Sequence, residues 1–160
     1  EYDRRIETVA AERYPETNAL RQVPGVGVLT AMAFVLAVED PARFHRSRDV
    51  GAYLGLTPSL HESGDAQQQL RITKAGDKYV RKLLVGSAQY ILGRFGPDSD
   101  LKRHGLAIAE RGGKSSRKRA AVAIARKLAV LLHALWVNQT NYDPLLNTNA
   151  REALAAQVAA

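Results

Sequence analysis

Twenty-five consecutive residues, SSRKRAAVAIARKLAVLLHALWVNQ from Ser115 to Gln139, repeat apolar side chains at helical spacing without a proline or a glycine. Ile124, Leu128, Leu131 and Leu135 share one face, joined by Ala125, Leu132 and Trp136. A helix with so broad an apolar surface has to be covered by other elements, and Trp136 reads as core rather than as a platform for a nucleobase. Arg117, Lys118 and Arg119 crowd the first turn, where positive charge opposes the helix dipole. That arrangement points to an external anion rather than to a stabilising cap.

The other segments supply more helices. Ile6, Val9 and Ala10 recur at helix spacing until Pro15 stops the run, which reads as a connecting helix. Thr17 or Asn18 is placed to cap a short helix that ends at VPGVG, residues 23–27, and an apolar helix follows from Val28 to about Val38. In this pattern of helix, glycine turn and helix, Gly25 and Gly27 expose backbone N–H groups beside a helix start, a cradle for a phosphate oxygen. Ser47 is placed to cap a short helix, RDVGAYLG, with Val50, Tyr53 and Leu54 facing inward. From Leu60 to Gln69 nothing is periodic, so an irregular loop or a loose hairpin is expected, with a short strand at Leu70–Ile72. Thr73 or Asp77 opens a long helix with Val80, Leu83, Leu84, Ala88, Ile91 and Phe95 as its apolar stripe, ending at Gly96-Pro97. Ser99 or Asp100 caps LKRHGLAIAERGG, and YDPLL at 142–146 closes the ordered part before an alanine-rich tail that reads as a frayed helix. The expected fold is all-α, mainly helical, with a helix-hairpin-helix-like element.

Charge narrows the partners. The formal net charge is +7, yet residues 66–130 hold fifteen Lys and Arg against four Asp and Glu, leaving the remainder of the chain at −4. Segregated positive charge steers a polyanion to one part of the molecule and releases its counterions on contact. The absence of cysteine rules out disulfides and thiolate metal sites. The chain starts EYDRRIE, without a signal peptide's features, and lacks a run of eighteen apolar residues, so the cytoplasm is the expected compartment and no membrane partner is expected.

Chemistry converges on one loop. In HESGDAQQQLRITKAGDKYVRK, Ser63 stands between charged residues, with Gly64 leaving the approach to its hydroxyl open. Serine is a weak nucleophile and needs a base or a substrate made electrophilic by positive charge, and a phosphodiester suits the second route. Arg71, Lys74, Lys78 and Arg81 follow closely enough to surround one phosphate if the loop folds over the long helix, with Lys82 beside them. His61 is a candidate base, and Glu62 and Asp65 are loop carboxylates. A two-metal nuclease centre needs converging acids, and the spacing of Glu39, Asp40, Asp49, Glu62 and Asp65 offers none, so no metal site is assigned.

The order of VPGVG, GLTPS, the serine-glycine pair, RITKAGD and the late aromatic helix resembles the C-terminal domain of the IS110 and IS1111 group of transposases, also named for IS116 and IS902. The likeness covers about residues 17–145. It implies a bacterial recombinase whose serine becomes linked to a DNA phosphate, and that serine falls on Ser63, with Arg71, Lys74, Gly76, Lys78 and Arg81 in the basic segment after it. It further implies a RuvC-like N-terminal half whose acids hold Mg2+, a coiled-coil connection, a structured guide RNA, a homo-oligomeric active assembly and association with the nucleoid when DNA is bound. Asp65 stands where many relatives have a second glycine. On this reading residues 1–14 end the connecting helix, 15–146 form the serine and DNA-binding domain, and 147–160 form a tail. Nucleic-acid contacts are assigned to Gly25, Gly27, Arg71, Lys74, Lys78, Arg81, Lys82, Arg117, Lys118 and Arg119, and no cofactor to this domain. Two other readings fit the residues: a non-catalytic helix-hairpin-helix nucleic-acid-binding module or inactive transposase remnant, and a helical assembly domain with an incidental basic face.

Overall fold

The structure, a computed structural model, describes the backbone of residues 2–63 and 66–159; the side chains of residues 60–70 and 158–159 lie outside the description. Among the described residues the chain forms eight α-helices and one antiparallel hairpin. The helices are α1 (Tyr2–Arg13), α2 (Thr17–Leu20), α3 (Val28–Val38), α4 (Asp49–Tyr53), α5 (Lys78–Leu92), α6 (Asp100–Glu110), α7 (Ser116–Asn138) and α8 (Leu146–Ala159). A 3-10 turn at Pro41–Arg43 precedes α4, and the hairpin pairs β1 (Pro58–Ser63) with β2 (Ala66–Ile72).

The long apolar helix is the axis of the fold. Ile124, Ala125, Leu128, Ala129, Leu132, Leu135 and Trp136 of α7 are buried, as the periodicity of the sequence requires. Around it pack α2, α4, α5 and α6. They contribute Leu20, Val50, Leu54, Val80, Leu84, Ala88 and Ile91 to the same core, and α3 adds Phe34, Val35 and Val38. By length and composition alone α7 could cross a membrane; here it is instead the inner helix of a helical domain. Small side chains at Ala125 and Ala129 let neighbouring helices approach, while leucines fill the spaces between them.

Caps decide where several helices begin. Asp77 opens α5, its carboxylate accepting from the N–H groups of Tyr79 at 2.6 Å and Val80 at 2.9 Å. Ser99 opens α6 by accepting from Lys102 N–H at 3.1 Å. Ser47 does not cap α4. Its hydroxyl lies 2.9 Å from His133 Nδ1, and His133 Nε2 lies 2.9 Å from the Pro41 carbonyl. A carbonyl can only accept, so Nε2 donates to Pro41 O, and the Ser47 hydroxyl is the hydrogen-bond partner of Nδ1. This buried histidine ties the 41–47 loop to α7, and no side chain caps the amides of α4. Neither Thr17 nor Asn18 caps α2; the Thr17 hydroxyl donates to the Tyr14 carbonyl instead.

Three further differences from the sequence reading have physical causes. Helix α5 ends at Leu92, with Gly93 at its C-cap, so Phe95 leaves the apolar stripe and is 71% exposed beneath the Arg94 guanidinium. Tyr53 of α4 is exposed rather than turned inward, its hydroxyl donating to the Ala37 carbonyl. The alanine-rich tail forms α8, anchored at its start to α6. Asp100 accepts from Asn147 N–H at 2.7 Å and from the Thr148 hydroxyl at 2.6 Å. Burial pushes the Asp100 carboxyl up, but the hydrogen bonds from Thr148 and Asn147 outweigh it and hold the group below the ordinary aspartate range.

Candidate functional site

The hairpin that carries Ser63 is locked at its foot by backbone packed on backbone. Gly55 adopts φ +68°, and a Cβ there would stand 2.2 Å from the Ala75 carbonyl oxygen. Gly76 adopts φ +71°, and a Cβ there would stand 2.2 Å from the Tyr53 carbonyl oxygen. Only glycine fits at either position. The segments entering and leaving the hairpin therefore interlock, with Lys74 N–H donating to Gly55 O at 3.1 Å and Thr73 N–H to Thr57 O at 3.0 Å. Lys74 itself takes φ +58° to make this approach. Across the junction lies Arg81, whose Nη1 donates to the carbonyls of Leu54 at 3.2 Å, Gly76 at 3.1 Å and Ala75.

Strand register sets the position of Ser63. It pairs with Ala66 at the far end of the ladder, whereas Pro58 pairs with Ile72 at the foot. One irregularity between Pro58 and Leu60 leaves Ser59 free to donate from its hydroxyl to the Arg71 carbonyl at 3.0 Å. Five residues of extended chain separate the two ends, about 17 Å along the strand. Arg71, Lys74 and Lys78 thus cluster at the foot, with exposed side chains, and do not surround the Ser63 backbone. Lys82 is exposed one turn further along α5. Gly64 and Asp65 lie outside the described residues, as do the side chains of Ser63, His61 and Glu62.

The glycine turn lies elsewhere. Gly25 has φ +90° and packs on α5, where a Cβ would meet Tyr90 Cδ1 at 2.8 Å and the Ser87 carbonyl oxygen at 3.2 Å. Tyr90 is nine residues beyond Arg81 on α5, about 14 Å along the axis. Gly27 precedes α3 with open space around it, and no side chain caps the helix amides. Arg117, Lys118 and Arg119 are all exposed at the start of α7, where Arg119 Nη2 donates to the Gly112 carbonyl at 3.2 Å. On the neighbouring helix His104 is held below its ordinary pKa, by burial first and then by the charges of Lys127 and Arg111. The cations singled out in the sequence therefore lie in separate patches: the hairpin foot with the start of α5, and the start of α7.

Sequence reasoning missed the clamp. GLTP and TKAGD stood out as short motifs, but only the fold shows that their glycines are required by each other. Among the described residues no group of three or more His, Asp or Glu side chains converges on a point, so these residues do not fit a magnesium centre.

The family model described as Transposase IS116/IS110/IS902 family matches residues 17–103, more than half of the chain, from α2 through the hairpin to α6. The chain belongs to this transposase family. It is 36% identical over 143 residues to the transposase for insertion sequence element IS1111A of Coxiella burnetii, covering 89% of this chain and 38% of that protein. It is 34% identical to a probable family 20 transposase of Pseudomonas aeruginosa, covering 78% of this chain and 36% of that protein. A pilin gene-inverting protein of Moraxella bovis is 28% identical over 134 residues, covering 81% of this chain and 40% of that protein. The transposase chain thus spans well under half the length of these relatives.

Proposed function

We propose that this chain is the C-terminal, serine-bearing part of a DNA transposase and that Ser63 is its nucleophile. The reading rests on the hairpin: its foot is packed through the Gly55–Gly76 interlock and it carries Ser63 at the last ladder pair. A hydroxyl carried on a braced two-stranded arm can be delivered into a site completed by another part of the assembly. Attack of Ser63 Oγ on a phosphodiester forms a Ser–O–P bond and breaks the P–O3′ bond. The hydroxyl proton leaves, the departing 3′ oxygen is protonated, and the new 5′ phosphoserine linkage conserves the energy of the broken bond. Reversal by a 3′ hydroxyl joins strands without a nucleotide cofactor.

In this proposal Arg71, Lys74, Lys78 and Lys82 hold backbone phosphates some nucleotides away from the scissile one, because the hairpin's foot lies about 17 Å along the strand from Ser63. Arg81 acts mainly by building the hairpin's foot. The α2–α3 turn works as a helix-hairpin-helix element, with Gly27 and the uncapped amides of α3 directed at a phosphate, and Arg117, Lys118 and Arg119 hold a further stretch of nucleic acid. Mg2+ would belong to a RuvC-like acidic half contributed by the complete protein, where it would stabilise charge on the phosphoryl oxygens. A structured guide RNA, a homo-oligomeric assembly and a cytoplasmic, nucleoid-associated setting complete the reading.

The test uses the complete transposase containing this chain, its nucleic-acid partners and Mg2+. Wild-type protein should yield a denaturant-resistant protein–DNA adduct, and Ser63→Ala should bind DNA equally and yield none. An adduct of undiminished yield in Ser63→Ala would remove Ser63 from the chemistry and favour the non-catalytic binding module.

A further inference from the structure

The middle of α7 and the start of α4 form a basic surface that neither the serine hairpin nor the glycine turn uses. Gly51 is buried because the arm of Arg126 lies across it: a Cβ built at Gly51 would stand 3.0 Å from Arg126 Cγ and 3.6 Å from its Nε. Arg48 is the N-cap of the same short helix, three residues before Gly51, and residues three apart share a helix face. Two exposed guanidinium side chains from distant parts of the sequence, Arg48 and Arg126, are thereby brought to one face. Among the described residues the ion pairs are Arg21–Glu7, Arg43–Glu39 and Arg103–Asp98, and neither Arg48 nor Arg126 takes part in one of them. Asp49, next to Arg48, is exposed and takes part in none of these ion pairs. Lys127 continues the positive surface toward α6, where its charge acts with that of Arg111 on His104.

We infer that this surface is a second backbone-binding site for duplex DNA, in which Arg48 and Arg126 each take a phosphate. Guanidinium groups suit the task because they present paired donors and stay charged at every working pH. A phosphate backbone laid across this face would meet both positive charges. The position is informative. Helix α4 runs through Leu54 and the interlocked Gly55 directly into β1, so DNA held here is fixed to the same segment that carries Ser63. The choice of DNA as occupant rests on the transposase reading above.

The experiment measures binding of the chain to a labelled DNA duplex by fluorescence anisotropy across a salt series. Arg48→Ala and Arg126→Ala should each reduce the slope of log affinity against log salt by about 0.9. The affinity lost by each variant should therefore be about threefold larger at ~50 mM than at ~200 mM salt. Arg126→Lys should keep the slope, and Gly51→Leu, which displaces the Arg126 arm at constant charge, should weaken binding. Arg4→Ala on α1 is the control and should leave the slope unchanged. Circular dichroism melts confirm that each variant is folded; a Gly51→Leu protein that fails to fold leaves the two exposed arginine variants to decide. Slopes for Arg48→Ala and Arg126→Ala equal to the control's overturn this site while the transposase reading stands. The same follows if only binding to an RNA duplex of equal length is lost. Wild-type chain that binds duplex DNA without salt dependence overturns both.

Discussion

Replacing Arg81 by alanine separates two roles that the same side chain could play. In the structure Nη1 faces the carbonyls of Leu54, Gly76 and Ala75, and thereby joins the end of α4 to the turn before α5. A nitrogen with two protons cannot satisfy three carbonyls fully, so the set counts as roughly two charge-assisted hydrogen bonds, each worth about 1.5–3 kcal/mol when sheltered. Arg81 is half-buried and two of these bonds are solvent-exposed, so water recovers part of the loss and the net cost of Arg81→Ala is about 2–3 kcal/mol. For a domain of this size that corresponds to a fall in melting temperature of about 5–10 °C. The assay pairs a circular dichroism melt with the salt slope of DNA binding. The clamp predicts the thermal loss and a slope changed by much less than one phosphate contact, with partial thermal recovery in Arg81→Lys. An unchanged melting temperature together with a slope reduced by about 0.9 would refute the clamp and make Arg81 a direct phosphate ligand.

Two further outcomes follow from the same geometry. Gly55→Ala and Gly76→Ala should each cost about 2–4 kcal/mol in urea denaturation, since a Cβ meets backbone at a left-handed φ. Gly112→Ala has φ +77° but open space around it, and should cost only about 1–2 kcal/mol. Asp100 has a folded-state pKa depressed below its unfolded value, so its contribution is present above about pH 4 and is lost as the pH falls through the folded value. The protection of the Asn147–Asn149 amides, measured against their intrinsic exchange rates at each pH, should therefore fall on acidification before the core opens, and Asp100→Asn should remove that step.

Elements whose pattern is set by their own residues were legible in the sequence. Helix α3 spans Val28–Val38 and the apolar stripe of α7 is buried apart from Leu131, which is half-buried against the core, because both are apolar runs bounded by glycine or polar residues. The cap of α4 was not legible: Ser47 is the right residue type, but its hydroxyl is engaged by His133, 86 positions away. Phe95 continued the spacing of α5, yet Gly93 ends that helix first. The hairpin was only one of two options, since a polar run rich in glutamine has no alternation of apolar and polar residues to reveal strand pairing. For the candidate site, the sequence offers Ser63 and the basic residues after it by residue type alone, and carries no signal of the distance between them. That separation depends on register, and the Gly55–Gly76 interlock and the Arg48–Arg126 face depend on tertiary contact.

The most direct measurement is to locate the protein–DNA bond itself. Active transposase containing this chain would be stopped with denaturant during strand exchange, digested with protease and nuclease, and its residual nucleotide mapped by tandem mass spectrometry. A nucleotide joined through phosphate to the Ser63 oxygen is the predicted result. A linkage on any other residue, formed while the residue-63 peptide is recovered unmodified, would contradict the account.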